Sequence, residues 1–223
     1  MKPTALLLLA ASLALSLIVG CGDGATGPSG PPDYFPVAMG NTWGFTVDGY
    51  VVNVGASDTI DLSGTFDRIV VDTTMHQQGF ELHKIRETSA VTFTQGDTSI
   101  TFRDTSFIYT MQTANEFLAY TDTVSTVYEV VARLPVTVGE TWEPYTGDST
   151  VVREVLSVSE HLTLPAGGFS GCLHMEDTDY TAPDDDWDIW CAPGIGPCMV
   201  VSHTEDSTGV SHIVIEMESY VVN

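Results

Sequence analysis

Apolar and polar side chains alternate at every second residue through most of this 223-residue chain. In the stretch 65–73, Ile69 and Val71 point to one side, and the other side carries Phe66, Arg68, Val70 and Asp72. Period two is typical of strands with one buried face. Similar runs occupy 80–87, 91–94, 99–111, 117–121, 124–131, 151–164, 169–180 and 187–192. The sequence therefore predicts an all-β fold of about a dozen strands.

Two of these runs, 99–111 and 150–164, are longer than an ordinary strand of about five or six residues. Glycine supplies turn positions between runs, at Gly96-Asp97, Gly147-Asp148 and Gly167-Gly168. Long antiparallel strands twist, and a wide sheet of them curls on itself. We therefore expect a single antiparallel meander curled into a β-roll or open barrel. Its apolar inner face is either filled by side chains or encloses a cavity.

The first 20 residues have the three parts of an export signal. Lys2 carries positive charge, residues 5–19 are almost wholly apolar, and Gly20 offers the small residue that a signal peptidase needs. About 15 apolar residues would span only about 22 Å as a helix, which is too short for a permanent membrane span. Residues 1–20 are therefore predicted to be a signal peptide.

The end of this segment, Leu17-Ile18-Val19-Gly20-Cys21, resembles the lipobox of bacterial lipoproteins. In those proteins the cysteine receives a diacylglyceryl group and becomes the first residue of the mature chain. The resemblance implies that Cys21 is acylated, with palmitate-type chains, and holds the protein on a membrane of the cell envelope. Gly22 stands where such lipoproteins often carry an aspartate for inner-membrane retention, which favours the outer membrane. The alternative is an ordinary secretory signal.

The chain after Cys21 divides into a linker and one domain. Residues 21–33 are rich in Gly, Pro and Ser, a composition that cannot bury apolar surface and favours an open linker. Residues 34–223 are enough for one all-β domain with a substantial core, and they show no second linker.

The charge of the chain excludes several classes of partner. Without residues 1–20 it has six basic and 30 acidic residues, a net charge of −24. Such a surface repels nucleic acid and anionic lipid headgroups, so no nucleic-acid partner is expected. Cations and basic partners remain, and the ligand is expected to be a protein, a polymer or an apolar small molecule.

Three cysteines besides Cys21 are available for a disulfide: Cys172, Cys191 and Cys198. An odd number in an oxidising compartment predicts one bond and one spare thiol. A chain reversal over 193–197 would bring Cys191 and Cys198 together. Pairing of Cys172 with either of them is the alternative.

Seven carboxylates crowd into the 13 positions 176–188, with no basic residue among them. Calcium prefers carboxylate oxygens in flexible loops, so a Ca²⁺ site at Asp184, Asp185, Asp186 and Asp188 is one interpretation. A solvated acidic hairpin tip is the other, because the spacing does not match a calcium loop. A metal site using Cys172, His174, Glu176 and Cys191 has no motif behind it. No other cofactor is expected.

Catalytic motifs are weak. Gly168-Phe169-Ser170-Gly171-Cys172 approaches a nucleophile elbow but lacks the final glycine and the following helix. The histidines are scattered through strand patterns, at positions 76, 83, 161, 174, 203 and 212. We therefore expect that the protein is not an enzyme.

Three further pieces carry a second resemblance: Gly40-Asn41-Thr42-Trp43, Pro165-Ala166-Gly167-Gly168-Phe169 and Pro193-Gly194-Ile195-Gly196. In this order they resemble an uncharacterised family of bacterial envelope lipoproteins of the spiral β-roll type. The resemblance implies an antiparallel β-roll similar to envelope lipoprotein carriers, and it implies no activity.

Two hypotheses of function follow. The first is an envelope lipoprotein that acts as a non-catalytic binding or structural module. The second is a carrier that encloses a lipid-like apolar ligand in the β-roll. An apolar cavity of about 300 Å³ or more would favour the carrier. An interior filled by Trp43, Phe45, Trp142 and Trp190 would favour the module.

Overall fold

The computed structural model describes residues 32–53, 59–206 and 209–223, except for the side chains of Pro183, Asp184 and Asp206. The predicted signal peptide 1–20, Cys21 and the linker up to residue 31 lie outside these ranges. Within them, no helix has the length and apolar character needed to cross a bilayer.

The described residues form twelve strands, which confirms the all-β prediction. They are β1 (Thr42–Asn53), β2 (Thr59–Met75), β3 (Glu81–Gln95), β4 (Thr98–Gln112), β5 (Glu116–Tyr120), β6 (Glu129–Arg133), β7 (Thr141–Trp142), β8 (Val151–Leu164), β9 (Gly167–Asp179), β10 (Ala182–Ala192), β11 (Gly196–Asp206) and β12 (Gly209–Val221). Valine, threonine and isoleucine recur in them because β-branched side chains fit an extended backbone.

All twelve strands belong to one antiparallel sheet with the order β6-β5-β4-β3-β2-β1-β12-β11-β10-β9-β8-β7. Strands β1 to β6 form one meander and β7 to β12 form another. The two meanders join where β1 pairs with β12, from Thr42 opposite Val221 to Asn53 opposite Gly209. Every other neighbour in the sheet is also a neighbour in the chain.

The sheet curls until its two ends meet, as expected for a roll or open barrel. The Val130 N–H donates to the Pro144 carbonyl at 2.7 Å, and the Thr146 N–H donates to the Tyr128 carbonyl at 3.0 Å. Trp142 Nε1 donates to the Val130 carbonyl at 2.7 Å. These bonds form a seam between β6 and the residues that follow β7.

Two glycines on neighbouring strands permit the tight approach of adjacent backbones. A Cβ atom on Gly49 would lie 2.3 Å from the His212 carbonyl oxygen, and one on Gly64 would lie 2.2 Å from the Ala90 carbonyl oxygen. No real Cβ contact is that short, so a larger residue would push the strands apart. These positions let the sheet bend.

The inner face of the curled sheet is filled by side chains. Trp43 and Phe45 of β1 are 1% and 2% exposed, and Trp142 is 5% exposed. Trp190 is half-buried, packs against the same core and stacks on His174 at the outer face of the sheet, so it does not fill the interior as expected. In the part of the chain that the structure describes, the curl therefore encloses a packed core.

The segment before β1 packs against this core. Phe35 stacks on Phe117 of β5 with ring centroids 4.9 Å apart. The Tyr34 hydroxyl donates to the Gly171 carbonyl at 3.1 Å, and the Gly194 N–H donates to the Asp33 carbonyl at 3.0 Å. The segment thus ties β5, β9 and the β10–β11 turn together.

Two details differ from the strand pattern. The runs 80–87 and 91–94 were expected as separate strands, but they belong to the single strand β3. Asp72 was expected to face the same side as Arg68, but it is exposed. A register shift between Val70 and Asp72 turns it to the other face.

Candidate functional site

Five charged side chains meet inside the curled sheet, and we call them the buried charge centre: Arg68, Glu87, Glu129, Arg153 and Asp177. The exposed fraction of each is 7% or less. Alternation places Arg68 and Glu87 on the inner face, opposite each other on β2 and β3. Arg153 and Asp177 face each other in the same way on β8 and β9. The centre thus draws on both meanders.

Arg153 is the most fully paired member. Its Nε and Nη2 donate to the two oxygens of Asp177 at 2.5 and 2.7 Å, and its Nη1 donates to the Val131 carbonyl at 3.0 Å. Nη1 also lies 3.0 Å from Glu129 Oε1. Burial alone would disfavour the charge of Arg153, but the Asp177 and Glu129 carboxylates raise its pKa well above the ordinary value. Arg153 therefore stays charged.

Glu129 is the member that can change its charge near neutral pH. Burial raises its pKa to about 7, and the nearby Arg153 opposes that shift only in part. With Glu129 protonated, two guanidinium groups face two carboxylates, and the centre is neutral. A buried centre without net charge costs less to desolvate.

Arg68 and Glu87 form the second pair of the centre. Arg68 Nη2 donates to Glu87 Oε1, and the Ser106 hydroxyl lies 3.4 Å from Glu87 Oε2. The guanidinium carbon of Arg68 also lies 5.1 Å from the centre of the Phe66 ring, in cation–π contact. Burial lowers the pKa of Arg68 and raises that of Glu87.

The centre was not predicted as a unit. The period-two pattern correctly puts Arg68 on the apolar side of its strand, which was the available signal. Asp177 was grouped with a solvated acidic cluster that has no base, and that assignment was wrong because Arg153 on the neighbouring strand pairs with it. Pairing between strands is invisible in the sequence of one strand.

The three cysteines are buried and form no disulfide in the structure. The Cys198 thiol donates to the Trp190 carbonyl at 3.4 Å. The interaction between the Cys172 and Cys198 thiols lowers the pKa of Cys172 and raises that of Cys198. Burial raises the pKa of Cys191. The contact joins Cys172 to Cys198, whereas the sequence favoured Cys191 with Cys198. A register shift between Trp190 and Cys191 displaces Cys198 from the position opposite Cys191. The pairing stays a prediction.

The outer face of β9 and β10 carries a second polar group. His174 Nε2 lies 2.7 Å from Asp188 Oδ1, and the His174 ring stacks on Trp190 with centroids 4.2 Å apart. Burial and the charges of Asp188 and Asp186 raise the pKa of Glu176. The cross-strand neighbour of His174 is Ser157, whose hydroxyl lies 3.5 Å from that of Ser159.

The side chains predicted as calcium ligands have different partners in the structure. Asp188 pairs with His174, and Asp185 Oδ1 accepts the Glu205 N–H at 3.0 Å. Asp186 lies opposite His203 on β11, and the side chain of Asp184 is outside the described residues. Among described residues, no three His, Cys, Asp or Glu side chains are arranged to hold a metal ion. No such arrangement joins the described residues Cys172, His174, Glu176 and Cys191. Cys172 faces the core, whereas His174 and Glu176 are half-buried.

An open groove of about 640 Å³ lies beside the segment that precedes β1. Its walls come from that segment, from the β4–β5 turn, from the β6–β7 connection and from β8. The lining is mainly apolar and includes Phe35, Ala114, Leu134, Pro135, Val136 and Val158. The groove adjoins the site where the linker enters the domain.

Comparisons with known proteins give two structural likenesses. No protein-family description matches the sequence, and no curated protein matches it. A crystal structure from Bacteroides fragilis, described as an exported protein with a YmcC-like fold, matches with 13% identity and a TM-score of 0.35. A crystal structure described as a lipoprotein from Parabacteroides distasonis matches with 10% identity and a TM-score of 0.34. Each alignment covers 86% of this chain and 100% of the other.

Proposed function

We propose that this protein is a lipid-anchored lipoprotein of the bacterial cell envelope that acts as a non-catalytic binding or structural module. The lipobox-like Leu17–Cys21 supports the anchor, and Gly22 supports the outer membrane. The two similar structures are described as an exported protein and as a lipoprotein.

The packed and charged interior is the observation that carries this proposal. Trp43, Phe45 and Trp142 fill the inner face, and the buried charge centre crosses the middle of the roll. An apolar ligand inside the roll would have to displace these side chains and separate buried ion pairs, which costs several kcal/mol. Recognition at the outer surface of the sheet needs neither change.

A second candidate function is transport of a lipid-like molecule. The observation that favours it is the apolar groove of about 640 Å³ beside Phe35 and Val136. That volume exceeds the smallest ordinary ligand sites, of about 300 Å³. In this version the ligand lies in a surface groove and not inside the roll.

Native mass spectrometry of protein extracted from its own membrane tests both functions. We expect a chain that begins at Cys21 and carries acyl chains, with no further bound lipid. Cys21→Ala should remove the acyl mass and release the protein from the membrane. An intact signal peptide, or an unmodified Cys21, would contradict the anchor. A lipid that remains bound to the domain of Cys21→Ala would support the carrier instead.

A further inference from the structure

One edge of β4 has no strand partner along most of its length. β4 pairs with β3 from Thr98 to Thr110, without a register shift. On its other side it pairs with β5 only through Tyr109–Gln112. In the described part of the chain, the edge from Thr98 to Ile108 thus presents a regular row of backbone donors and acceptors to solvent. We call this segment the β4 edge.

The opposite long edge, on β8, is protected in a way that the β4 edge is not. The pairing of β8 with β9 shifts register three times, between Val155 and His161. Val155 also exchanges backbone hydrogen bonds with Gly139 and Glu140. Bulges and covering loops are how proteins block edge-to-edge pairing. The regular β4 edge remains a template for an added strand.

The β4 edge exposes two large apolar side chains that another protein segment could cover. Ile100 is 57% exposed and Phe102 is 40% exposed, and both point to the inner side of the sheet. Phe93 of β3 packs edge-on against Phe102, with centroids 5.5 Å apart. An added strand would cover Ile100 and Phe102 with its own apolar side chains.

Positive charge is concentrated beside the same edge. Three of the six basic residues after residue 20 are engaged elsewhere, namely Arg68 and Arg153 in the buried charge centre and Arg133 in an ion pair with Glu140. The other three are Lys84, Arg86 and Arg103, all on the outer face of β3 and β4. The ion pairs among the described residues do not include these three side chains.

The position of Lys84 brings its charge to the edge. Asp72 lies opposite Lys84 on β2, but Asp72 accepts the Thr73 N–H. The Lys84 ammonium instead lies 4.2 Å from the centre of the Phe107 ring, on β4 itself. Phe107 and Arg103 are four residues apart on the outer face. The outer side of the edge thus carries two positive charges, Arg103 and the Lys84 ammonium above the Phe107 ring, about 13 Å apart.

We propose that the β4 edge binds an extended acidic segment of another protein as an additional strand. The segment carries carboxylates four residues apart on its outer side, opposite Arg103 and Phe107, and apolar side chains on its inner side. This inference names the partner class of the binding module proposed above, and it rests on that function. A second copy of this chain is the less suitable occupant because its own β4 edge presents the charges of Arg103 and Lys84 where the proposed segment carries carboxylates.

Two synthetic peptides test the charge rule. The acidic probe is Thr-Val-Glu-Val-Thr-Val-Glu-Val-Thr, and the matched control has lysine in place of both glutamates. We expect the acidic peptide to bind the intact protein about ten-fold more tightly in fluorescence anisotropy, with a preference that weakens as salt is added. Equal affinity of the two peptides would overturn the proposal.

A pair of charge reversals locates the contact. Arg103→Glu should remove the preference for the acidic peptide, whereas Arg133→Glu makes the same change of net charge on β6 and should leave it. If Arg103→Glu does not fold, hydrogen exchange of the wild-type protein decides the question. Bound acidic peptide should slow exchange of backbone amides within 98–108. Slowed exchange only elsewhere would refute the β4 edge and keep the binding module. A dimer formed through 98–108 would refute the acidic partner.

Discussion

At the scale of single residues, the buried charge centre governs how the protein responds to pH. Glu129 has a pKa raised by burial to about 7, against 4.5 for an ordinary glutamate. Arg153 cannot lose its proton in this range, and Asp177 holds it through two hydrogen bonds. Glu129 is therefore the member whose titration changes the charge of the interior at the seam of the roll.

Protonation of Glu129 should make the protein more stable in mild acid than at neutral pH. Between pH 4.5 and about 7 the folded chain keeps a proton on Glu129 that the unfolded chain has lost. The contribution is complete below pH 4.5, falls as pH rises and is gone above about 7. Its size is about 3 kcal/mol.

Urea unfolding at about pH 5 and about pH 7.5 measures this effect. The free energy of unfolding of Glu129→Gln, minus that of wild type, should be larger at the higher pH than at the lower pH. Tyr145→Phe, in the same seam, leaves the Glu129 carboxyl group in place and serves as the control. A Glu129→Gln difference that is constant with pH would contradict the role of Glu129.

At the scale of elements, the bending of the sheet depends on positions where adjacent strands approach too closely for a side chain. Gly64 of β2 lies opposite Val91 of β3, and a Cβ there would also lie 2.8 Å from the Val91 Cα. Backbone atoms cannot move aside as a flexible side chain would. A methyl group at this position would therefore weaken the pairing of β2 with β3.

Gly64→Ala should lower the free energy of unfolding by about 1–3 kcal/mol, as overpacking does in a tight interior. Gly168→Ala is the matched control, because a Cβ at Gly168 would meet nothing within 4 Å. That substitution should stay within about 0.5 kcal/mol of wild type. Equal effects of the two substitutions in urea unfolding would show that the close approach at Gly64 has no cost.

At the scale of the whole molecule, charge is distributed very unevenly. The chain has 30 acidic and seven basic residues, and two arginines are buried in the centre of the roll. The outer surface therefore carries almost unopposed negative charge, except beside the β4 edge. Self-repulsion of such a surface favours the unfolded chain, in which the charges are farther apart.

Sodium chloride should stabilise the protein for this reason. Screening shortens from about 30 Å at 0.01 M salt to about 3 Å at 1 M, while buried pairs such as Arg153–Asp177 are screened much less. We expect the midpoint of thermal unfolding to rise by several degrees over this range, as followed by circular dichroism. A midpoint that falls or stays constant would contradict dominance of surface repulsion.

The alternating pattern predicted the strands, the single sheet and its curl, because period two and turn glycines act locally. The same pattern placed Asp72 on the wrong face, because a register shift in β2 turns its side chain outward. It also divided β3 into two strands. In the candidate site, the pairing of Asp177 with Arg153 could not be predicted from the sequence, since 24 residues separate them.

The sequence by itself determined the extended backbone, the position of turns and the acidic surface of this protein, and it predicted an export segment with a candidate lipidation site. Only the tertiary structure decided which strands meet at the seam, which charges pair in the interior and which edge stays open. Those outcomes depend on contacts between residues far apart in the chain, and no local periodicity encodes such contacts.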